Sequence, residues 1–212
     1  MDSILSEMLS YVSGMGGLEL VGLIFGLLAV IFLVKARIIT WPFGIAYVLV
    51  SFVIFWQARL YGDFILHIIF LILNIYGWYE WVHGKSEKIG EYPITHSDTK
   101  TSVIQLVCSI IGIWIFAKFL IWLPTQFEGM EAASLPYWDS TTSVLSITGM
   151  WLTAKKRIDN WYYWFVVDVL ATGIYFHKGI YFYALLYGIY ISFAVWGYLT
   201  WRKLQQQQLA IL

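Results

Sequence analysis

Two polar side chains stand in the middle of long apolar runs of this 212-residue chain, Asp168 and Asn74. A carboxyl or amide group at such a place is costly to keep from water, so it is a functional candidate by default. Trp161, Trp164, Asp168, Thr172 and Tyr175 are spaced by threes and fours, which sets an acid between aromatic rings on one helical stripe. His67, Asn74, Trp78 and Trp81 form a second stripe, and Tyr183, Tyr187, Tyr190 and Ala194 a third. Three such faces can converge on one pocket. Helix packing is the competing role for Asn74, since interhelical amide bonds are common. For Asp168 the packing role is weaker, because the nearest basic residues in sequence, Arg157 and Lys178, lie more than two helical turns away.

Catalytic chemistry finds little footing. Glu80-x-x-His83 has the spacing of half a dinuclear metal site but has no second copy, and neither a zinc-protease histidine pair nor a Gly-x-Ser-x-Gly elbow occurs. A retinal-type receptor needs a lysine deep in its last helix, and the run Ile180–Trp201 has none. The single cysteine, Cys108, sits in an apolar run and reads as a packing residue, so no disulfide framework or cysteine zinc site is available. No cofactor and no metal are expected.

The elements that position these residues follow from composition. The chain is 60% hydrophobic and 12% charged with mean hydropathy +0.71, where a soluble domain is about a quarter charged. Zero formal net charge argues against nucleic-acid binding. Seven apolar runs are long enough to span a bilayer: Gly17–Val34, Ile38–Gln57, Tyr61–Val82, Ser102–Leu123, Tyr137–Ala154, Asn160–His177 and Ile180–Trp201. The expected fold is an all-α membrane protein. Lys35, Arg37, Lys85, Lys88, Lys100, Lys155, Lys156, Arg157, Arg202 and Lys203 fall on one side against Arg59 and Lys178 on the other. Basic loops stay in the cytoplasm, so the amino terminus is expected outside and the carboxyl terminus inside. Residues 1–16 lack the basic start of a cleavable signal and read as an outer interfacial segment. Glu128 and Glu131 belong to the outer loop, and the tail from Gln205 to Gln208 is expected to fray. Trp41, Trp81, Trp138 and Trp201, near the ends of runs, read as interfacial belt residues.

Sliding the chain on itself by 120 residues aligns Lys35-Ala-Arg-Ile-Ile-Thr-Trp41 with Lys155-Lys-Arg-Ile-Asp-Asn-Trp161. The register continues ungapped, bringing Ile54 to Ile174, Tyr61 to Tyr181, Leu66 to Leu186, Gly77 to Gly197 and Trp81 to Trp201. This is the signature of a duplication. The expected organisation is a three-helix repeat over 17–83, a cytoplasmic loop over 84–101, a linking helix over 102–124, an outer loop over 125–136, a second repeat over 137–201 and a tail over 202–212. An even number of crossings separates the copies, so they point the same way, as in transporters that hold substrate near mid-membrane between parallel halves. The shared Lys-x-Arg-Ile-x-x-Trp motif serves topology and folding. Asp168 pairs with Val48 and Asn74 with Ala194, and unlike polar positions are what an asymmetric ligand requires. Gly22-x-x-x-Gly26 is a small-residue packing motif.

The stretch Lys155–Trp201, with Lys-Arg-Ile-Asp-Asn-Trp-Tyr-Tyr-Trp164, Tyr175-Phe-His-Lys-Gly-Ile-Tyr181, Ala184-Leu-Leu-Tyr187 and Gly197-Tyr-Leu-Thr-Trp201, resembles the PnuC family of bacterial vitamin transporters, as does Asn74-Ile-Tyr-Gly-Trp-Tyr-Glu-Trp81. The resemblance implies a 3+1+3 bundle related to SWEET sugar transporters in the bacterial inner membrane. It implies facilitated diffusion of nicotinamide riboside, an NAD precursor, trapped inside by a cytoplasmic riboside kinase, and it suggests a homotrimer. It places Gln57, Asn74, Trp164, Asp168 and Tyr187 in the binding pocket, with Trp161, Trp78 and Tyr190 beside them. Prolines bend SWEET helices at mid-span, whereas none of Pro42, Pro93, Pro124 and Pro136 lies at mid-span, which sets the gating of the sugar relatives apart from this chain. A pyridinium ligand suits the aromatic stripe, because cation–π stacking contributes about 0.5–2 kcal/mol. A seven-helix sensor for an aromatic ligand and a carrier for another vitamin or nucleoside stay open at this point.

Overall fold

The computed structural model describes residues 2–57, 61–87, 89–126 and 134–211, so Arg59, Lys88, Glu128 and Glu131 lie outside it. The described residues form helices α1 (Asp2–Gly14), α2 (Gly17–Val34), α3 (Thr40–Gln57), α4 (Tyr61–His83), α5 (Thr99–Trp122), α6 (Pro136–Ala154), α7 (Asn160–His177) and α8 (Tyr181–Leu209), with a 3-10 turn over Leu123–Thr125. Every expected run is one of these helices to within a few residues, except that α8 continues well past Trp201.

Local chemistry sets the starts. The Glu19 carboxylate accepts from the Gly16 N–H at 3.0 Å ahead of α2. Asp98 caps α5, its Oδ1 accepting from the Thr101 N–H at 2.8 Å. Pro136 opens α6, where its missing N–H is no loss. Five stretches, Gly17–Val34, Thr40–Gln57, Asp63–His83, Thr99–Thr125 and Tyr181–Leu209, are long and apolar enough to cross a membrane. α6 and α7 are more polar, but their hydroxyls bond back to their own helices: Ser140 to Pro136 O, Thr148 to Val144 O, Thr153 to Gly149 O and Thr172 to Asp168 O.

The packing closes a ring. α2 packs on α3, α3 on α4, α4 on α6, α6 on α7, α7 on α8 and α8 back on α2. α5 lies against α6 and α1 against α8. Within the ring Gly22 and Gly26 of α2 face Val50, Ile54 and Tyr47 of α3, as their packing motif requires.

The two halves make the same contacts at the end that carries Lys35 and Lys155, called the basic end below. Ala36 and Lys156, 120 residues apart, both adopt left-handed backbone, with φ 51° and 50°. Each turn bonds alike: the Arg37 N–H donates to Phe32 O at 2.9 Å and the Arg157 N–H to Leu152 O at 2.9 Å. Trp41 lies over Gly77 and Trp161 over Gly197, where any Cβ would overlap the indole. Trp41 and Trp81 meet edge to face at 5.3 Å, and Trp161 and Trp201 at 5.6 Å. Trp81 Nε1 then donates to Ala154 O on α6 at 3.1 Å, and Trp201 Nε1 to Leu33 O on α2 at 2.9 Å. Each half thus reaches across to the other.

Three expectations are corrected. Trp41, Trp81 and Trp201 are core residues rather than a lipid belt: Trp41 fills the recess at Gly77, while Trp81 and Trp201 pack edge to face on Trp41 and Trp161 and donate their N–H groups to backbone carbonyls of the opposite half; Trp138 alone of the four is half exposed. Cys108 is exposed on α5, whose contacts with the ring run only to α6. The tail does not fray: α8 carries helix through Gln205–Gln208, and Gln208 Oε1 accepts from the Ile94 N–H at 2.9 Å. Within the loop expected over 84–101, residues 89–98 make tertiary contacts. Ile94 is buried in the tryptophan core, and Thr95 pairs with the α6–α7 turn, its N–H donating to Lys156 O at 3.2 Å while its carbonyl accepts from the Ile158 N–H at 2.9 Å.

Candidate functional site

The interior of the ring is lined by aromatic and polar side chains from both halves. Asp168 projects from α7 and is 6% exposed. Its carboxylate makes no hydrogen bond or ion pair with a described residue, and it interacts electrostatically with Tyr187 and Tyr190 of α8. Tyr175 of α7 stacks on Tyr187 at 5.4 Å and 12°, and Tyr187 meets Tyr190 edge-on at 5.8 Å. Tyr47 of α3 reaches the same cluster from the other half and interacts with both α8 tyrosines. The glycine at 26 makes room for this, since its missing Cβ would lie 3.4 Å from the Tyr47 ring and 3.8 Å from the Tyr190 hydroxyl. His67 of α4 stands beside Tyr47 at 5.9 Å and Phe55 at 4.6 Å. Its Nδ1 bonds the Asp63 carbonyl at 2.9 Å, and its buried Nε2 meets no described partner.

The expected site residues therefore separate into groups. Asp168, Tyr187 and Tyr190 are brought together. Trp164 lies one turn from Asp168 on the same stripe, about 6 Å along the axis, and is held against α6 by an Nε1 bond to Thr153 Oγ1 at 3.1 Å and by the recess at Gly149. Asn74 is buried between α4 and α3: its Nδ2 donates to Phe70 O at 2.8 Å, and its Oδ1 occupies the space over Gly44. Trp161 belongs to the tryptophan core. Trp78 faces outward along a shallow hollow shared with Ile75, Tyr79, Val82 and His83, and Gln57 is exposed at the far end of α3. Glu80 and His83 do not form a ligand pair, since Glu80 meets Lys155 and His83 bonds the Tyr79 carbonyl. Among the described residues no group of three or more metal-ligating side chains occurs.

Sequence reasoning missed Tyr47. Its own repeat partner is Val167, so no matched position points to it; the available signal is its place next to Val48, the repeat partner of Asp168, and across from Gly26. A buried acid with no ion-pair partner is either neutral or matched to a cationic ligand, and among tyrosine faces it suits a flat organic cation that stacks on the rings.

The family described as nicotinamide mononucleotide transporter matches residues 16–203. The chain belongs to this family. As a member of it, the protein is a multi-pass membrane transporter and not an enzyme. It is 28% identical over 201 residues to the nicotinamide riboside transporter PnuC of Escherichia coli (strain K12), covering 87% of this chain and 84% of that one. It is 26% identical over 186 residues to the riboflavin/roseoflavin transporter RibM of Streptomyces davaonensis, covering 86% and 83%. In fold it is similar to the crystal structure of the vitamin B3 transporter PnuC, with TM-score 0.71 and 21% identity over 97% of this chain and 90% of that one. The family match sets aside the sensor and the membrane-enzyme readings.

Proposed function

We propose that this PnuC-family transporter takes up nicotinamide riboside by facilitated diffusion across the bacterial inner membrane. The observation that supports the substrate is the buried, unpartnered Asp168 carboxyl group beside Tyr187 and Tyr190, with Tyr47 of the other half in the same cluster. A pyridinium ring supplies the charge and the π-face that this cluster lacks, and its carboxamide and ribose offer partners to the tyrosine hydroxyls and to His67 Nε2. Trp164 adds a stacking edge on one side, while Asn74 and Trp161 border the site and Gln57 and Trp78 lie along the approaches. The arrangement is read as 3+1+3: α2–α4 and α6–α8 are parallel repeats, α5 links them, and the basic end faces the cytoplasm. Facilitated diffusion needs no energy source in the carrier, so a cytoplasmic kinase traps the product by adding a phosphate that cannot recross. The working assembly in this proposal is a homotrimer.

The match to RibM favours one second reading, a carrier for riboflavin. Riboflavin is larger and uncharged, so it leaves Asp168 without a partner. Uptake of each labelled vitamin into proteoliposomes holding neither ATP nor an ion gradient separates the readings. Equilibration of nicotinamide riboside is expected. Equilibration of riboflavin alone overturns the substrate, and uptake that needs an imposed gradient overturns facilitated diffusion.

A further inference from the structure

The halves meet along two seams, α4 against α6 and α2 against α8, and these are held very unequally at the basic end. Across α4–α6, Trp81 Nε1 is shared between Thr153 O and Ala154 O at 3.3 and 3.1 Å. Tyr76 stacks flat on Trp151 at 5.3 Å and 3°. Lys155 Nζ stands 3.2 Å from Glu80 Oε1 and above both rings, at 4.8 and 5.3 Å. Tyr92 donates its hydroxyl to the same Glu80 carboxylate, and Lys156 reaches over Trp81 at 4.7 Å. The strap over residues 89–98 lies at this seam, with Ile94 driven into the core.

The repeat turns each of these into a question about α2–α8. At the equivalent positions Glu80 becomes Thr200, Lys155 becomes Lys35, Tyr76 becomes Trp196, Trp151 becomes Ile31 and Lys156 becomes Ala36. Among the described residues no ion pair spans that seam, Lys35 is exposed, and Trp196 is half exposed. Its polar tie at the basic end is the Trp201 Nε1 bond to Leu33 O, beside apolar packing of Val34 on the tryptophan core. Further in along the same seam the Tyr190 hydroxyl faces Gly26, so the tyrosine cluster and this bond lie on one line.

We propose that the basic end opens along the α2–α8 seam, with the Trp201–Leu33 bond as its gate and the α4–α6 seam as the hinge. This rests on the carrier reading, which needs such an opening for release. A single hydrogen bond is a weak net tie that thermal motion breaks readily. The strapped seam must break an ion pair, a ring stack and a shared indole bond together.

Spin-label distances in a Cys108→Ser background test this. One label pair spans the predicted gate, Lys35→Cys with Lys203→Cys, and the other spans the hinge, His83→Cys with Met150→Cys. Trp201→Phe keeps an aromatic ring, though a smaller one, and removes the donor, so it should add a longer population to the first pair and leave the second unchanged. Trp81→Phe should leave the first pair as it is. Widening of the hinge pair in Trp201→Phe, equal widening of both, or no change in either overturns the assignment. Uptake is measured in the same preparation: its absence from the unsubstituted protein tells against the carrier reading, whereas normal uptake with the wrong seam moving tells against the gate alone.

Discussion

The two halves of this protein agree at the basic end and part company one to two turns further in. Trp41 over Gly77 with Trp81, and Trp161 over Gly197 with Trp201, are the same device built twice. Deeper, Gly44 faces Asn74 in the first half, where the second half has Trp164 and Ala194. Val48 of the first half corresponds to Asp168 of the second, and both are buried. The bulk moves from one helix to the other: the larger group stands on α4 in the first half and on α7 in the second. A duplicated chain must keep the contacts that pack its ends, because indoles seated on glycine recesses tolerate no change in shape. Its interior answers to a ligand without two-fold symmetry and is free to diverge.

The sharpest way to break the shared frame is to fill its recesses. Gly77→Leu and Gly197→Leu each force a side chain into space held by a buried indole, a strain of about 1–3 kcal/mol or more. Both variants should lose most folded protein, and to a similar degree, when thermal stability is followed in detergent. A loss at only one site would show that the two locks are not equivalent.

The unlike interior is tested next by Asp168→Asn, which keeps size and removes charge. Nicotinamide riboside should lose more than tenfold in affinity, whereas a neutral analogue with the same ribose and carboxamide should change little in titration calorimetry. Equal losses for the two ligands would mean that the acid serves as a hydrogen-bonding group, and no loss for either would remove it from the site. Trp164→Ala follows, with at least a tenfold loss, equivalent to about 1.4 kcal/mol. Unchanged affinity in a folded variant would make Trp164 a packing residue held by Thr153.

Much of the frame was legible because hydrophobic runs and a 120-residue repeat report burial and duplication directly. The ends of α2 and α7 and the pairing of Trp81 with Trp201 needed nothing else. The strap was hidden, since one isoleucine at 94 in a polar loop carries no periodicity, and its burial depends on the α6–α7 turn it pairs with. The α8 tail was misread for a related reason: four glutamines look featureless, yet glutamine is a good helix former and Gln208 has a backbone partner at Ile94. The tryptophans were misread because proximity to a run's end does not tell which face a ring is on. In the site, stripes on α7 and α8 were legible from spacing, and Tyr47 was not, because its role comes from α2 giving way at Gly26.

A smaller effect separates the two turns. Ala36 and Lys156 share left-handed backbone, which costs a non-glycine residue about 1–2 kcal/mol. Ala36→Gly should therefore raise thermal stability by up to about 1 kcal/mol. Lys156→Gly gains the same backbone relief but loses the ammonium over Trp81 and its 3.7 Å pairing with Glu91. Burial holds the Lys156 ammonium below the ordinary lysine range, with Glu91 opposing the shift. A base with a lowered folded-state value makes the fold more stable as pH rises from that value to the unfolded one near 10.4. Raising pH through that window should stabilise the unsubstituted protein more than a Lys156→Met variant. Identical pH profiles would detach the ammonium from the strap.

The smallest expected effect bears on whether Asn74 belongs to the lining or to the packing. Its amide spends one donor on Phe70 O of its own helix and sets Oδ1 over Gly44. Asn74→Ala gives the first half the small residue that the second half has at 194, and a packing amide of this kind is worth on average about 0.6 kcal/mol, or roughly threefold in an equilibrium. Gly44→Ala alone should be the worse change, because its Cβ collides with Oδ1. The double variant removes the collision and should regain stability, leaving a coupling between the two sites. If Asn74 also touches substrate, Asn74→Ala and the double variant lose affinity for nicotinamide riboside by similar factors, whatever happens to stability. If stability alone moves, and the coupling accounts for it, Asn74 is the α4 counterpart of the bulk that Trp164 supplies on α7, and the asymmetry that selects the ligand rests on Asp168 and the tyrosines.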